Sequence, residues 1–296
     1  MKFNHFDNTS WHKDHPSGIL VFQYCMVGEP ESPDNFMLVL GRQDGDFYMP
    51  RHRHNFDQIR LPLKGDMNIG KDLTLKEGQV GYFPEGLPYG PQDDPLGKAP
   101  PGERLNLVLQ FGGASGVGFM SMEQRLRARD ELSKIGEFVG PNYRAPDGKL
   151  EWGLNTIWRH VFSERLKYPM PRYPELVIAD PQRFNWIPQA PGVARKFLGS
   201  FTEREAWVEM LRVKPGAVWQ STHAARRLAF VLGGKGTCGE EQLGTYDTVQ
   251  VEAGETLVLH AEQELDLFVM GLPPVVVPSD SQAEFELVDG MANDQI

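Results

Sequence analysis

The chain has 296 residues, 40% hydrophobic and 24% charged, which is the balance of a globular protein with a packed core rather than a disordered chain. A net charge of −10 without a lysine- and arginine-rich cluster argues against a nucleic-acid partner. Without an apolar run of the ~18 residues that a membrane span needs, and with Cys25 and Cys238 far apart, we expect a cytoplasmic protein with no membrane partner and no disulfide framework.

The N-terminal part of the chain has the pattern of short β-strands. Residues 1–17 are polar and are predicted to form an arm. From residue 18, apolar runs rich in β-branched residues alternate with turn residues, and residues 104–111 alternate between leucine and polar residues, as a closing strand does. We therefore predict one β unit over residues 18–112. Its long loop, residues 84–103, is interpreted either as a lid or as a plain surface excursion.

A helical connector is predicted over residues 113–175. Ser121 and Gln124 have the spacing of a capping box, which predicts a helix beginning at this point. A second helix is predicted over about residues 150–166. It ends before the proline-rich segment 167–175, because proline cannot continue a helix.

The C-terminal part repeats the strand pattern over residues 176–272, and a tail follows at 273–296. A constant offset of 169 relates four positions in the two halves, namely His52, His54, Gln58 and Gly65 to Ser221, His223, Arg227 and Gly234. A second segment aligns Gly78 with Gly254 if seven residues are inserted. The repeat predicts two similar β units, the second of them degenerate at the candidate site.

The pair His52 and His54 is the first indication of chemistry. Residues two apart on an extended chain project from the same face, so both imidazoles can point at one place. Imidazole is a ligand for zinc, copper, iron and nickel. The alternative is a polar strand that faces solvent.

The spacing around this pair resembles the signature motifs of the cupin superfamily. H-x-H-x3-Q-x6-G from His52 to Gly65 is similar to the first motif, with Gly45 displaced by one position. G-x5-P-x-G-x2-Y from Gly78 to Tyr89 is similar to the second. The resemblance implies an all-β fold of two cupin-type β-barrels of the double-stranded β-helix or jelly-roll type. It also implies a homodimer.

The same resemblance implies a ligand set for a divalent metal, which could be iron, manganese, nickel or zinc. The set is His52, His54, Gln58 and Tyr89. Gln58 stands where the family has glutamate, and Tyr89 stands where it has its last histidine. Tyr89 would bind as a phenolate, so the metal would have to lower its pKa of ~10.

The run HRHNFDQIRLPLKG is similar to the first motif of gentisate-type ring-cleaving dioxygenases, which are bicupins. By this resemblance Arg60 is a catalytic candidate together with Tyr89, and Arg60, or its neighbours Arg51 and Arg53, could hold a substrate carboxylate as a bidentate pair. Those enzymes use a third histidine, which the N-terminal arm could supply. For these arginines, a solvated surface position is the alternative.

Two polar residues complete the candidate site. Asn106 and Gln110 share one face of the predicted closing strand, and we assign both to substrate binding.

Two hypotheses follow for the function. The first is a metal-dependent, oxygenase-type enzyme that acts on a small, anionic molecule in the N-terminal barrel, with isomerase, decarboxylase or lyase chemistry as variants. The second is a bicupin that binds a small molecule with little or no metal and without catalysis.

Overall fold

The structure is a computed structural model that describes residues 1–13, 20–43, 48–93, 104–140, 142–276 and 285–286. Gly45, half of the long loop (94–103) and most of the tail lie outside these ranges. Within the described residues, no helix has the length and apolar character needed to cross a membrane.

The N-terminal jelly roll is built from strands of the first 111 residues. In chain order they are β1 (Lys2–Asn4), β2 (Leu20–Val27), β3 (Phe36–Gln43), β4 (Tyr48–Met49), β5 (Asp57–Lys64), β6 (Met67–Gly70), β7 (Leu73–Leu75), β8 (Val80–Phe83), β9 (Gln92–Asp93) and β10 (Arg104–Phe111). The main sheet has the order β8-β5-β10-β3-β2, and the pairs β4-β9 and β6-β7 lie apart from it. β1 belongs to the other jelly roll.

The connector contains two helices and a small sheet. Its elements are α1 (Met122–Ser133), β11 (Glu137–Val139), β12 (Asn142–Arg144), β13 (Leu150–Trp152), α2 (Gly153–Phe162) and β14 (Tyr168–Pro169). The predicted capping box is present at α1, since the Ser121 hydroxyl accepts from the Gln124 N–H and the Gln124 side chain accepts from the Ser121 N–H. The second helix is shorter than predicted, because residues 150–152 pair with β12.

The C-terminal jelly roll has a seven-stranded and a four-stranded sheet. Its strands, preceded by β15 (Val177–Ala179) and a 3-10 turn at Pro181–Arg183, are β16 (Ile187–Ala190), β17 (Val193–Phe201), β18 (Ala206–Val213), β19 (Val218–Thr222), β20 (Arg226–Gly233), β21 (Gly236–Cys238), β22 (Glu241–Leu243), β23 (Thr248–Val251), β24 (Thr256–Ala261) and β25 (Leu265–Leu272). β26 (Phe285–Glu286) pairs with β14. The sheets are open jelly rolls, so the predicted all-β fold is confirmed without closed barrels.

One apolar core joins the two jelly rolls. Leu38 and Leu109 from the first and Phe230 and Met270 from the second belong to a single buried cluster. At the junction, the ring of Tyr82 lies flat on that of Phe201, with centroids 4.3 Å apart. The interior of each jelly roll therefore lies on the side away from this shared wall, and the N-terminal one is where the predicted site residues are found.

The structure differs from the predicted domain boundaries at two places. Residues 177–179, predicted to begin the second barrel, pair with β8 of the first as β15. Residues 2–4, predicted as part of an arm, pair with β23 as β1. Each jelly roll thus donates a strand to the other half of the chain.

The internal repeat is present, but the predicted seven-residue insertion is wrong. Gly86 donates its N–H to the carbonyl of His54, and Gly254 donates its N–H to the carbonyl of His223. Gly254 is therefore the counterpart of Gly86, at an offset of 168, and not of Gly78. The residue at the position of Gly78 is Tyr246, and both have a positive φ, 78° and 74°.

Candidate functional site

The four predicted metal ligands come together inside the N-terminal jelly roll. β5 carries Gln58, which is fully buried. His52 and His54 precede β5, and an antiparallel bridge between His52 and Tyr89 joins that segment to the one after β8. Because Gly86 hydrogen-bonds to the His54 carbonyl, the two segments stay in register along their length.

The hydroxyl of Tyr89 is the centre of the cluster. It lies 3.0 Å from Nε2 of His52, 3.0 Å from Nε2 of His54 and 3.3 Å from Nε2 of Gln58. Nη2 of Arg60 donates to the same oxygen at 2.5 Å. Four polar groups therefore converge on one buried oxygen, and burial raises the pKa of Tyr89, so the hydroxyl keeps its proton at neutral pH.

The tautomer of His52 follows from its partners. Nδ1 of His52 lies 2.8 Å from the carbonyl of Pro50, which can only accept, so Nδ1 carries the proton and Nε2 is free to accept from Tyr89. Burial lowers the pKa of His52 to about 4, and it lowers the pKa of His54 well below its usual value. Both imidazoles are therefore neutral at physiological pH.

Arg60 lies beside the four predicted metal ligands, in the interior space that a metal ion would need. It follows Gln58 by two residues on β5, so both side chains face the interior. Its Nε and Nη2 donate to Oε1 of Gln58 at 2.9 and 2.7 Å, and its guanidinium lies over the rings of Phe83 and Tyr89. In the described part of the chain, no carboxylate pairs with Arg60.

The donor set fits a divalent metal poorly. In favour of a metal, Nε2 of His52 and Nε2 of His54 face one place, and His52 donates its other N–H to a carbonyl, as metal-bound histidines do. Against it, both the Gln58 oxygen and the Tyr89 hydroxyl are already bonded to a cation, Arg60. Among the described residues, no group of three His, Cys, Asp or Glu side chains is placed to hold a metal. Two neutral imidazoles beside a guanidinium supply no negative charge for a dication.

A cavity of about 220 Å³ opens in front of the cluster. Its wall is mostly apolar and rich in methionine and aromatic side chains. The cationic residues in the wall are Arg53, Arg60 and Arg125, and none of the described lining residues is acidic. The cavity therefore carries positive charge in an apolar setting, where charges interact more strongly than in water.

The predicted substrate-binding residues divide into two groups. Asn106 and Gln110, both on β10, line the cavity, and Oδ1 of Asn106 is buried without a hydrogen-bond partner. Arg53 lines it as well, with its guanidinium over the ring of Tyr168. Arg51 is exposed and does not line the cavity, so the structure does not bring it to the site.

The N-terminal arm does not supply a third histidine within the described residues. His5 contacts Asp247 of the C-terminal jelly roll, with Nδ1 3.1 Å from Oδ2. The exposed His12 stacks on Phe22 and is absent from the cavity wall.

Seven of the cavity-lining residues that the sequence did not predict come from the connector, which forms the roof of the cavity. They are Met120, Met122, Arg125, Trp152, Leu154, Trp158 and Tyr168. The helical pattern indicated that the connector has an apolar side. It could not indicate that this side packs over the first jelly roll rather than the second.

A pair of buried carboxyl groups lies on the opposite side of β5. Asp57 accepts from the N–H of Glu85 at 2.8 Å, and the Glu85 carboxylate accepts from the N–H and the hydroxyl of Ser115. Burial, followed by the charge of Glu85, raises the pKa of Asp57 to about 7. Asp57 and Glu85 do not line the cavity, so they belong to the wall between the jelly rolls and not to the candidate site.

Comparisons with known proteins agree with this architecture. A family model described as the ChrR cupin-like domain matches residues 174–269, which cover most of the C-terminal jelly roll. No curated protein matches the chain.

Solved structures share the fold along nearly the whole chain. A protein from Nostoc punctiforme, provisionally described as a dioxygenase, aligns with a TM-score of 0.57 and 14% identity over 94% of this chain and 85% of its own. A protein from Geobacillus kaustophilus aligns with a TM-score of 0.54 and 13% identity over 91% and 94%. A variant of oxalate decarboxylase from Bacillus subtilis aligns with a TM-score of 0.52 and 14% identity over 91% and 77%. Together with the two jelly rolls, these alignments show that the chain has a bicupin-like fold, and the family model identifies its C-terminal jelly roll as a cupin-like domain.

Proposed function

We propose that the N-terminal jelly roll binds a small anionic molecule and does so without a resident metal ion. The observation that carries this proposal is the place of Arg60, whose guanidinium bonds to Gln58 and Tyr89 at the point where a cupin metal would be held. An anion can complement this charge, whereas a metal cation would be repelled by it.

The side chain of Arg60 is buried, since the residue is 8% exposed. A buried cation that lacks an anionic partner is costly, and a carboxylate that enters the cavity offsets part of that cost. Its hydrogen bonds to the guanidinium would be charge-assisted and therefore stronger than neutral ones. Nη1 of Arg60 has a weak contact, 3.8 Å to the sulfur of Met67, so donors remain for such a ligand.

The remaining polar groups orient the ligand. His54 is neutral and faces the cavity, while Asn106 and Gln110 offer amide groups from β10. The unpartnered Oδ1 of Asn106 is an acceptor for a hydroxyl or amino group. A hydroxy acid is therefore a better match to the wall than a simple inorganic anion.

A metal-dependent, oxygenase-type enzyme is the second candidate, because Nε2 of His52 and Nε2 of His54 face the same oxygen at equal distances of 3.0 Å. Elemental analysis after expression in medium supplemented with iron, manganese, nickel and zinc separates the two. We expect metal well below one ion per chain. One ion per chain that is absent from a His52→Ala/His54→Ala variant would overturn the metal-free proposal.

The binding half of the proposal is tested by calorimetric titration with benzoate and hexanoate, with the neutral benzamide as the control. We expect the acids to bind and benzamide to bind at least tenfold more weakly, since one charge-assisted contact is worth about 1.5–3 kcal/mol. An Arg60→Met variant should lose this preference for the charged form. Equal affinity for benzoate and benzamide would contradict an anion site.

A further inference from the structure

The roof of the cavity carries a charge that no described neighbour balances. Arg125 lies in the first turns of α1 and lines the cavity. Its side chain has no hydrogen bond or ion pair with any described residue. Burial, followed by the charge of Arg129, lowers the pKa of Arg125.

The position of Arg125 on α1 is held firmly. Ser121 and Gln124 form the capping box just before it, and the side chain of Gln124 also donates to the carbonyl of Pro30 at 2.9 Å. The N-terminal end of a helix carries a partial positive charge, so an arginine in this turn is unfavourable on its own. The helix end holds this cation over an apolar cavity, and an anion bound in the cavity would stabilise it.

Arg125 and Arg60 line the same cavity. Arg60 belongs to β5, which is the floor, and Arg125 belongs to α1, which is part of the roof. The charges of both act on His54. An anion bound beside His54 would therefore interact with the positive charge of both arginines.

The rest of the wall suits an apolar group. Five methionines line it, and methionine adapts its shape to different partners; they are Met37, Met49, Met67, Met120 and Met122. Aromatic side chains complete the wall on the roof side, with Trp158 1% exposed and Tyr168 3% exposed. A flat or flexible hydrocarbon group buried here gains about 25 cal/mol for each Å² removed from water.

We propose that Arg125 is a second anion anchor, supplied by the connector roof, which binds the acidic group of the ligand beside His54 together with Arg60. The ligand class is then an amphipathic monoanion, with one carboxylate and an apolar body that packs against the methionines and Trp158. This proposal rests on the proposed function and adds to it the class of ligand and the residue that selects it.

Selection follows from the two features together. A small anion without an apolar group, such as acetate, leaves the hydrophobic wall without contact. A neutral molecule of the same shape, such as benzamide, leaves the half-buried Arg125 without an anionic partner, which costs free energy. Only a molecule with both features can pair with Arg60 of the floor and Arg125 of the roof and also pack against the apolar wall.

The experiment compares the full chain with three variants of α1. Arg125→Met removes the charge and keeps the length of the side chain, and Arg125→Lys keeps the charge without the fork of donors. Arg127→Met is the matched control, since Arg127 lies on the same helix, is 58% exposed and only approaches Glu31 at 3.8 Å. Each protein is titrated with benzoate, hexanoate, acetate and benzamide, and its thermal unfolding is recorded.

We expect Arg125→Met to weaken benzoate and hexanoate binding by about tenfold or more, which is the loss of one charge-assisted contact. Affinity for benzamide should be unchanged. Arg125→Lys should recover part of the loss, and Arg127→Met should bind like the parent chain. Acetate should bind more weakly than hexanoate to every form.

Three outcomes would overturn the proposal. Benzoate binding that is unaffected in Arg125→Met but lost in Arg60→Met removes the roof anchor and leaves the proposed function standing. An equal loss for benzoate and benzamide assigns Arg125 to packing alone, whether or not the variant is less stable. A parent chain that binds neither benzoate nor hexanoate removes the proposed function and this inference with it.

Discussion

In both jelly rolls a buried arginine stands among the side chains that face the interior, but the two arginines come from different positions. Arg60 follows Gln58 by two residues, and its counterpart in the second jelly roll is Ala229. Arg227 is itself the counterpart of Gln58, and it is 3% exposed. The position that a glutamate ligand occupies in metal-bound cupins is therefore close to a guanidinium in each half of this chain.

The partners of the two arginines differ. Arg227 donates to the hydroxyl of Ser221 at 2.6 Å and to the carbonyls of Ser221 and Glu255 at 3.2 and 2.9 Å, so the wall itself satisfies most of its donors. Arg60 bonds to Gln58 and Tyr89 of the cluster and faces a cavity whose described lining residues include no acidic one. The first arrangement is structural, and the second leaves charge for a ligand.

The two jelly rolls also differ in how they are covered. The connector closes the N-terminal cavity of about 220 Å³, whereas the C-terminal jelly roll has an open pocket of about 470 Å³ lined by its own strands and loops. The two jelly rolls are similar, but only the N-terminal one is covered by the described part of the connector. The N-terminal site is therefore a covered cavity, and the C-terminal one is an open pocket.

The largest effect is expected when the roof is emptied. Trp158→Ala removes a side chain that is 1% exposed and that packs with Leu166 and Tyr168. Deletion of a large aromatic side chain from a core costs about 3–5 kcal/mol. Unfolding in urea should show this loss, together with weaker binding of benzoate. Trp219→Ala, in the open C-terminal pocket, is the control and should cost less because Trp219 is partly exposed. Equal losses would mean that the roof is no better packed than the open pocket.

The next effect concerns the wall between the jelly rolls and depends on pH. A carboxyl whose pKa is about 7 in the fold, against 3.8 for the free group, contributes stability below pH 4 that is lost as the pH rises through 7. Asp57→Asn should therefore match the parent chain at pH 4 and exceed its stability by about 2–4 kcal/mol above pH 7, at 1.36 kcal/mol for each pKa unit.

The position equivalent to Asp57 in the second jelly roll provides a control for this prediction. Arg226 stands in place of Asp57 and pairs with Glu252 at 3.0 Å, where both side chains are partly exposed. Glu252→Gln should change stability by less than 1 kcal/mol, as is usual for exposed pairs, at any pH from 5 to 8. The comparison between the two walls fails if unfolding of Asp57→Asn and of the parent chain follows the same pH curve.

The third effect compares the two arginines directly. Arg227→Met should cost about 1.5–3 kcal/mol, because it removes hydrogen bonds from a charged group to Ser221 and Glu255. Arg60→Met should change stability less, since the hydrogen bonds that it loses to Gln58 and Tyr89 are offset by removal of a buried charge that has no anionic partner among the described residues. Benzoate binding should follow the opposite order and be lost only in Arg60→Met. A loss of binding in Arg227→Met would contradict the structural role of that arginine.

Much of the candidate cluster could be predicted from the sequence, since it depends on local geometry. Residues two apart on a strand face the same way, which placed His52 with His54. The cupin-like spacing added Tyr89. What the spacing could not show is that Arg60 bonds to both Gln58 and Tyr89. That contact depends on side-chain packing across the interior.

The errors have physical reasons of the same kind. The repeat was misaligned because glycines were matched with glycines, whereas Tyr246 adopts the positive φ that Gly78 has. The strand at residues 177–179 and the roof residue Arg125 depend on which half of the chain an element packs against. Sequence periodicity shows that an element has a buried face, and it does not show what covers that face.

The smallest effect is expected at the centre of the cluster. Tyr89→Phe removes a hydroxyl near His52, His54, Gln58 and Arg60, and its counterpart in the second jelly roll, Leu257, is already apolar. An unpaired buried donor or acceptor costs about 1–3 kcal/mol, but water from the adjoining cavity can replace part of the hydroxyl's contacts, so we expect about 1–2 kcal/mol in urea unfolding.

Tyr143→Phe provides the scale for that prediction, because the hydroxyl of Tyr143 makes a single hydrogen bond, 3.2 Å to the carbonyl of Leu132. Its loss should cost about 0.5–1.5 kcal/mol. If Tyr89→Phe costs no more than Tyr143→Phe, the hydroxyl of Tyr89 is not the centre that joins the cluster. An apolar residue such as Leu257 would then stabilise this position as well as Tyr89 does. The interiors of the two jelly rolls would differ only in their roof and their arginines.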